Sequence, residues 1–88
     1  MTLEEKIENI TEKDSLLLNE VRDEMRCVGI HIEIKPNFKP NGDVNFYTYE
    51  AYSKESPEMI RGTRSRYYKA LYSAITNYFE TYPLKIEE

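Results

Sequence analysis

Residues 30–35 read Ile30-His31-Ile32-Glu33-Ile34-Lys35, and this strict alternation of apolar and polar side chains decides the fold class. A period of two with β-branched residues on one side predicts a half-buried β-strand. Farther along, Asn41-Gly42 is a strong signal for a hairpin turn, because both residues tolerate a positive φ angle. A second strand is therefore predicted at about 44–53, antiparallel to the first.

The turn also indicates which faces of the strands lie inside the domain. A two-residue turn at Asn41-Gly42 pairs Ile34 with Tyr49, so that this tyrosine shares the buried face with the isoleucines. Phe46 and Tyr52 then lie on the opposite, exposed face. We therefore expect an outer sheet face that is unusually aromatic for a two-stranded hairpin.

A helix is expected on each side of this hairpin. Thr2-Leu3-Glu4-Glu5 and Thr11-Glu12-Lys13-Asp14 both resemble capping boxes, which leaves two interpretations of the amino-terminal region. Either a short helix at about 3–10 precedes a main helix at about 12–28, or one long helix runs through Thr11. Apolar residues at helical spacing form the core stripe of the main helix, and they are Leu17, Leu18, Val21, Met25 and Val28. Leu16 points away from this stripe.

The second helix is predicted to begin at Ser56-Pro57-Glu58, because serine caps helices, proline fits the first helical position and an acid complements the helix dipole. Gly62 interrupts the first turn in this interpretation, with a restart near Thr63 or Ser65. Tyrosines and aliphatic residues then make a broad apolar stripe that ends before Pro83. The predicted order is α-β-β-α, with both helices packed on one face of the hairpin.

Composition bounds the size and the kind of protein. The chain has 88 residues with 16 Asp+Glu against 12 Lys+Arg, a formal net charge of -4, and is expected to form a single domain over residues 1–88. The single cysteine and single histidine, Cys27 and His31, exclude an internal disulfide and a Cys/His zinc site. The charged amino terminus and the lack of a long apolar run predict a cytoplasmic protein without a membrane partner.

Two pairs of side chains are weighed as catalytic candidates. Cys27 and His31 are four residues apart, but the helix ends at Gly29 between them, which removes the geometry of a thiolate–imidazole dyad. A buried cysteine and a surface histidine are expected instead. Glu33 and Glu50 are expected to be cross-strand neighbours on an exposed sheet, where a solvated pair is more common than an acid/base pair. We therefore predict no enzymatic activity, no cofactor and no metal site.

A basic cluster lies in the second half of the chain. Arginine binds phosphate and tyrosine stacks on unpaired bases, so the cluster is a candidate nucleic-acid site. Its members are Arg61, Arg64, Arg66, Tyr67 and Lys69. The structural alternative is that the arginines pair with the acidic first helix of the same chain or of a dimer mate. The negative charge of the whole chain favours this alternative.

The first helix offers the opposite charge. Residues 1–26 hold eight acids and four bases, and Glu12, Glu20 and Asp23 are predicted on the exposed side of the helix. Spaced carboxylates can imitate DNA phosphates, so a phage-type inhibitor or DNA mimic is one hypothesis. Together with Phe46 and Tyr52, these acids are candidate contacts for a protein partner or for a second copy of the chain.

The sequence therefore predicts an α+β domain of order α-β-β-α, with an extra short amino-terminal helix as an open alternative. This order resembles a truncated double-stranded-RNA-binding domain in topology only, and no loop or helix motif matches, so the resemblance implies no fold or function here. The predicted function is a non-enzymatic interaction or regulatory module that acts by protein contacts and forms a homodimer. A nucleic-acid-binding module at the basic cluster is the alternative.

Overall fold

The computed structural model describes residues 2–84, in which three helices and three strands follow one another. The helices are α1 (Leu3–Asn9), α2 (Ser15–Cys27) and α3 (Tyr67–Thr81). The strands are β1 (Ile30–Phe38), β2 (Val44–Ser53) and β3 (Ile60–Arg64), and they form one antiparallel sheet of order β1-β2-β3. The predicted mixture of helices and strands is confirmed. None of these helices combines the length and the apolar character that a membrane crossing requires.

Two separate helices form at the amino-terminal end, which selects the first of the two interpretations. Thr2 caps α1, where its Oγ1 accepts a hydrogen bond from the backbone N–H of Glu5 at 3.2 Å. α2 begins later than predicted, because Asp14 supplies its cap by accepting a hydrogen bond from the N–H of Leu17. The chain turns out of α2 at Gly29, whose φ of 87° lies in the left-handed region that glycine favours.

The register of Ile32 and Ile34 is the predicted one, but the predicted two-residue turn is wrong. The Lys39 N–H bonds to the Asp43 carbonyl and the Gly42 N–H bonds to the Lys39 carbonyl, so three residues, 40–42, connect the strands. Ile32 lies opposite Ala51 and Ile34 lies opposite Tyr49, with a register shift near the end of the hairpin. Gly42 adopts a φ of 93° in the connecting turn. The confirmed register places the isoleucines, Tyr49 and Ala51 on the inner face of the sheet, where they contribute to the core.

The predicted start of the second long helix is wrong. Ser56 does not cap a helix, because its Oγ accepts a hydrogen bond from the Ser53 N–H at 2.8 Å in a turn that leads back along the sheet. Ile60–Arg64 then pairs with Tyr47–Ala51 as a third strand, and α3 begins only at Tyr67. The predicted hairpin is therefore the first part of a three-stranded sheet.

Gly62 lies in β3, where a larger residue would not fit. The Tyr49 side chain of the neighbouring strand lies over Gly62, so closely that a Cβ at this position would overlap the phenol group. An aromatic ring over a glycine fills the space that the missing side chain leaves. The sequence predicted that Gly62 interrupts a helix. In the structure a glycine is required there because the Tyr49 ring packs against it.

The core lies between the inner sheet face and helices α2 and α3. Its largest fully buried side chains are Leu18, Val21, Met25, Leu71 and Ile75. Leu16 is 78 % exposed, as predicted for a residue off the core stripe. Two expectations at the end of α2 are wrong, since Val28 is 64 % exposed and Cys27 is exposed. Both residues follow Met25, the last buried residue of the helix.

Candidate functional site

The sheet carries a second set of side chains on the side opposite the core. We call this side the outer face, and its members are His31, Glu33, Lys35, Phe46, Thr48, Glu50, Tyr52, Arg61 and Thr63. None of them belongs to the core cluster of the described residues. Phe46 and Tyr52 are only partly buried there, and their outward orientation follows from the register that the turn predicts.

An ion-paired group occupies the middle of the outer face. Arg61 Nη2 lies 2.6 Å from Glu50 Oε2, and Lys35 Nζ lies 3.8 Å from Glu50 Oε1. The hydrogen bond from Arg61, assisted by the charges of Arg61 and Lys35, lowers the pKa of Glu50 against the opposing effect of desolvation. The Glu50 carboxylate is therefore held in its ionised form by its neighbours.

Glu33 and Glu50 lie directly opposite each other, as predicted. Lys35 Nζ lies 3.9 Å from Glu33 and 3.8 Å from Glu50, so one cation serves both carboxylates. The Tyr52 hydroxyl donates to Glu33 at 3.4 Å, and the Tyr52 ring centre lies 5.6 Å from that of His31. The arrangement is typical of a charge network on an open surface.

The hairpin of β1 and β2 extends past β3, which pairs only with Tyr47–Ala51 of β2. At the hairpin end, Phe38 is 63 % exposed and Val44 is 38 % exposed. Sequence reasoning missed Phe38, because the register shift beside it is not visible in the alternation of side chains. Exposed apolar surface is therefore present at the hairpin end, and the outer face adds the two partly buried rings of Phe46 and Tyr52.

Glu12 was predicted on the exposed side of the main helix, and this placement is wrong. It lies in the connection between α1 and α2, because α2 begins only at Ser15. Its carboxylate accepts a hydrogen bond from Arg64 Nη2 at 2.9 Å, a contact between residues 52 positions apart. Arg64 Nη1 also donates to the hydroxyl of buried Ser73. Glu12 and Arg64 thus form a structural ion pair.

Glu20 and Asp23 lie on α2, each with a cation beside it. Lys6 Nζ lies 3.7 Å from Glu20 and 2.7 Å from Glu24. The hydrogen bond to Glu24, together with the charges of both carboxylates, raises the pKa of Lys6 despite some desolvation. Asp23 pairs with Arg26 at 2.7 Å. The acidic candidates on α2 are therefore partly compensated by neighbouring cations.

The two arginines of β3 are not brought together as one site. Arg61 projects onto the outer face, where Glu50 accepts its hydrogen bonds, whereas Arg64 reaches Glu12 on the other side of the sheet. Alternation along a strand requires this separation, because positions 61 and 64 have opposite parity. The sequence offered pairing with amino-terminal acids as the structural alternative for the arginines. Arg64 makes such a pair, with Glu12.

Arg66, Tyr67 and Lys69 lie at the start of α3, where Arg66 is the N-cap residue. The Tyr67 hydroxyl accepts a hydrogen bond from Arg22 at 2.7 Å, and the neighbouring Tyr68 is 40 % exposed. Within residues 2–84, no carboxylate lies within ion-pair distance of Arg66 or Lys69. Of the basic cluster, Arg66 and Lys69 therefore have no ion-pair partner among residues 2–84, and the exposed ring beside them is that of Tyr68.

Arg22 is a structural residue that sequence reasoning missed. Its guanidinium donates through Nη1 to the Tyr67 hydroxyl and through Nη2 to the Ile32 carbonyl, at 2.7 and 2.9 Å. These contacts join α2 to β1 and to the start of α3. The sequence gives no signal for them, because an arginine within a helix is most often a solvent-exposed residue.

A cleft of about 840 Å³ lies between the carboxyl end of α3 and the loop that connects β2 to β3. Tyr78 Oη lies 3.1 Å from Ser53 Oγ and 3.3 Å from Ser56 Oγ. The Tyr82 hydroxyl accepts from the N–H of Glu58 and donates to its carbonyl, both at 2.9 Å. These hydroxyl groups already have protein partners, so they hold the loop against α3.

No group of three or more His, Cys, Asp or Glu side chains within the described residues is arranged to hold a metal ion.

The third strand changes the order of elements from α2 onward to α-β-β-β-α, so the predicted order was incomplete. The chain matches no protein-family model, no curated protein and no solved structure.

Proposed function

We propose that this chain is a non-enzymatic, cytoplasmic interaction module whose outer face binds a protein partner. The observation that carries the proposal is the position of Phe46 and Tyr52 on the sheet face outside the core cluster. Aromatic side chains contribute a large share of the binding energy at protein interfaces. Partly exposed rings outside the core are therefore suitable anchors for a partner.

The charge pattern supports the outer face over the acidic residues of the amino-terminal region. A phage-type inhibitor that imitates DNA needs free, regularly spaced carboxylates. Glu12, Glu20 and Asp23 each have a cation within ion-pair distance, so the DNA-mimic form of the proposal receives less support. On the outer face, Glu50 and Arg61 compensate each other and leave the aromatic rings as the main recognition elements.

The chemistry of the outer face indicates the kind of partner surface that fits it. Apolar or aromatic groups would lie against Phe46 and Tyr52, and hydrogen-bonding groups would surround them. Because the charges of the face compensate each other, such a complex should lose little affinity as salt is raised. Nucleic-acid binding, in contrast, weakens steeply with salt.

Site-specific photo-crosslinking in a lysate of the source cells tests the proposal. A photoreactive phenylalanine analogue replaces Phe46, and the matched control carries the analogue at Leu16, which is 78 % exposed on α2. We expect a protein adduct of defined mass from position 46 that is absent from position 16 and resists nuclease. No adduct at position 46, or the same adduct from both positions, would overturn the proposal.

A nucleic-acid-binding module is the second candidate, because Arg66 and Lys69 have no carboxylate partner among residues 2–84 and Tyr68 is exposed beside them. The start of a helix favours phosphate, and tyrosine stacks on unpaired bases. Fluorescence anisotropy with single-stranded RNA and DNA should show binding that Arg66→Glu with Lys69→Glu abolishes. The exposed loop variant Lys54→Glu is the control. Absence of binding at low salt would exclude this candidate.

A further inference from the structure

The hydrogen bonds of Ser53 establish which residues of β3 bond to the rest of the sheet. At the end of β2, Ser53 bonds through both its N–H and its carbonyl to Ser56, in the connection that leads to β3. Both backbone groups of a strand residue point to the same side, and the side alternates along the strand. The odd-numbered residues of β2 therefore bond to β3, where their partners are Ile60, Gly62 and Arg64.

The backbone groups of Arg61 and Thr63 consequently point away from the sheet. Among the described residues, their N–H and carbonyl groups make no hydrogen bond to a turn, a loop or a side chain. Both residues are exposed. A row of open donors and acceptors along a strand is a template for a further strand.

The opposite edge of the sheet is interrupted at two backbone groups. On the free side of β1, the carbonyl of Ile32 accepts a hydrogen bond from Arg22 at 2.9 Å. Pro36 lies on the same side, since it has the same parity as Ile32, and it has no N–H to donate. Proline and side-chain caps commonly protect strand edges. β3 contains no proline, so the two edges differ in what they can bind.

The side chains of β3 are compatible with a second copy of the same strand. Arg61 is ion-paired with Glu50 at 2.6 Å, and Arg64 is ion-paired with Glu12 at 2.9 Å. The positive charges of both arginines are therefore compensated within each copy, so two β3 strands can pair without strong repulsion. Antiparallel pairing centred on Gly62 also places each arginine opposite a residue other than arginine, which avoids direct repulsion.

We infer that two copies of the chain pair edge to edge through β3, antiparallel, with Gly62 at the two-fold axis. In this register Arg61 exchanges backbone hydrogen bonds with Thr63 of the second copy, which gives about four new bonds. The register overlaps all five residues of β3 and joins the two three-stranded sheets into one. Added burial is favourable because a chain of 88 residues has a small core.

Sedimentation equilibrium of two substitutions at Thr63 tests the inference. Thr63→Pro removes an outward N–H without removing a bond to β2, whereas Thr63→Val keeps the N–H and a strong strand preference. We expect the unmodified chain and Thr63→Val to be dimers and Thr63→Pro to be a monomer with an unchanged circular dichroism spectrum. An unmodified chain that is monomeric up to its solubility limit would overturn the inference.

Disulfide trapping tests the register without the proline variant. In a Cys27→Ser background, a chain with Arg61→Cys is mixed with a chain that carries Thr63→Cys. The inferred register places these unlike positions about 5.5 Å apart between Cα atoms, within disulfide range, and keeps like positions too far apart. We expect disulfides between unlike chains. Trapping of like chains to the same extent, or no trapping, would overturn the register.

Pairing of two outer faces is the competing form of dimer, and Phe46→Glu distinguishes it. Edge pairing predicts that this substitution leaves the dimer intact, because Phe46 lies on the part of β2 beyond the ladder with β3. A dimer that Phe46→Glu dissociates and Thr63→Pro preserves would overturn edge pairing. The same pattern would support the homodimer predicted from the aromatic face.

Discussion

Arg64 Nη2 lies 2.9 Å from Glu12 Oε1, so the end of the third strand is held to the connection between the first two helices. The same guanidinium donates to the hydroxyl of Ser73, which is 5 % exposed in the middle of α3. One side chain therefore links three parts of the fold that are distant in sequence. Arg64 acts within the fold, although its neighbours in the sequence suggest a nucleic-acid site.

Arg64→Met should lower the free energy of unfolding by about 1–3 kcal/mol, because Glu12 and Ser73 both lose a charged hydrogen-bond donor. Urea denaturation measures this change. Both members of the pair are about one-third exposed, so a double-mutant cycle with Glu12→Gln should give a coupling energy of only about 0.5–1 kcal/mol. Arg66→Met is the control and should be close to neutral. A coupling energy of zero would contradict the structural role of this pair.

Gly62→Ala should destabilise the domain by about 1–3 kcal/mol, because the new Cβ meets the Tyr49 ring in a tightly packed part of the sheet. Thermal unfolding followed by circular dichroism measures the loss. Thr63→Ala, one position along on the outer face, is the matched control and should cost much less. Equal stability of the two variants would show that the Tyr49 ring moves aside without penalty.

The ion pair of Glu50 and Arg61 predicts a dependence of stability on pH. Because the pKa of Glu50 is lowered in the folded chain, its stabilising contribution is present above the ordinary value of 4.5 and is lost as pH falls through the lowered pKa. Glu50→Gln should therefore be less stable than the unmodified chain near neutral pH, and the difference should shrink below about pH 4.5. Urea midpoints measured across this range check the prediction, with Glu8→Gln as the exposed control. A difference that stays constant with pH would contradict it.

Tyr82→Phe should release the loop between β2 and β3 from α3. The substitution removes both hydrogen bonds to Glu58 and keeps the ring that packs against Tyr78. Faster hydrogen exchange at the Glu58 amide is expected, with a loss of about 1 kcal/mol in global stability. Tyr68→Phe removes the hydroxyl of an exposed tyrosine in the first turn of α3 and should change neither quantity. Exchange at Glu58 that matches this control would contradict the role of the Tyr82 hydroxyl in holding the loop against α3.

The parts of the fold that were predicted correctly depend on local chemistry. Alternation in residues 30–35 and the turn signal at Asn41-Gly42 are short-range, and they predict two strands joined in a hairpin. The register of Ile32 and Ile34 agrees with the prediction because the shift between Asn37 and Phe38 offsets the extra residue of the turn. The same register predicts the outward positions of Phe46 and Tyr52. This part of the candidate site could therefore be obtained from the sequence.

The parts that were wrong depend on distant partners. Ser56-Pro57 has the local chemistry of a helix start, but the bonds between Ser53 and Ser56 and the packing of Tyr49 on Gly62 favour a turn and a strand. A single sequence does not show such partners. The contact between Arg64 and Glu12 is equally invisible, since 52 positions separate the two residues.

Pro36 and Arg22 have a consequence for how far association can proceed. A sheet with two open edges adds strands on both sides, and repeated addition leads to linear polymers and fibrils. Here the hydrogen bond from Arg22 to Ile32 and the missing N–H of Pro36 interrupt one edge. The proposed strand addition through β3 would therefore end at two copies, because the edges of the pair that remain are the interrupted β1 edges.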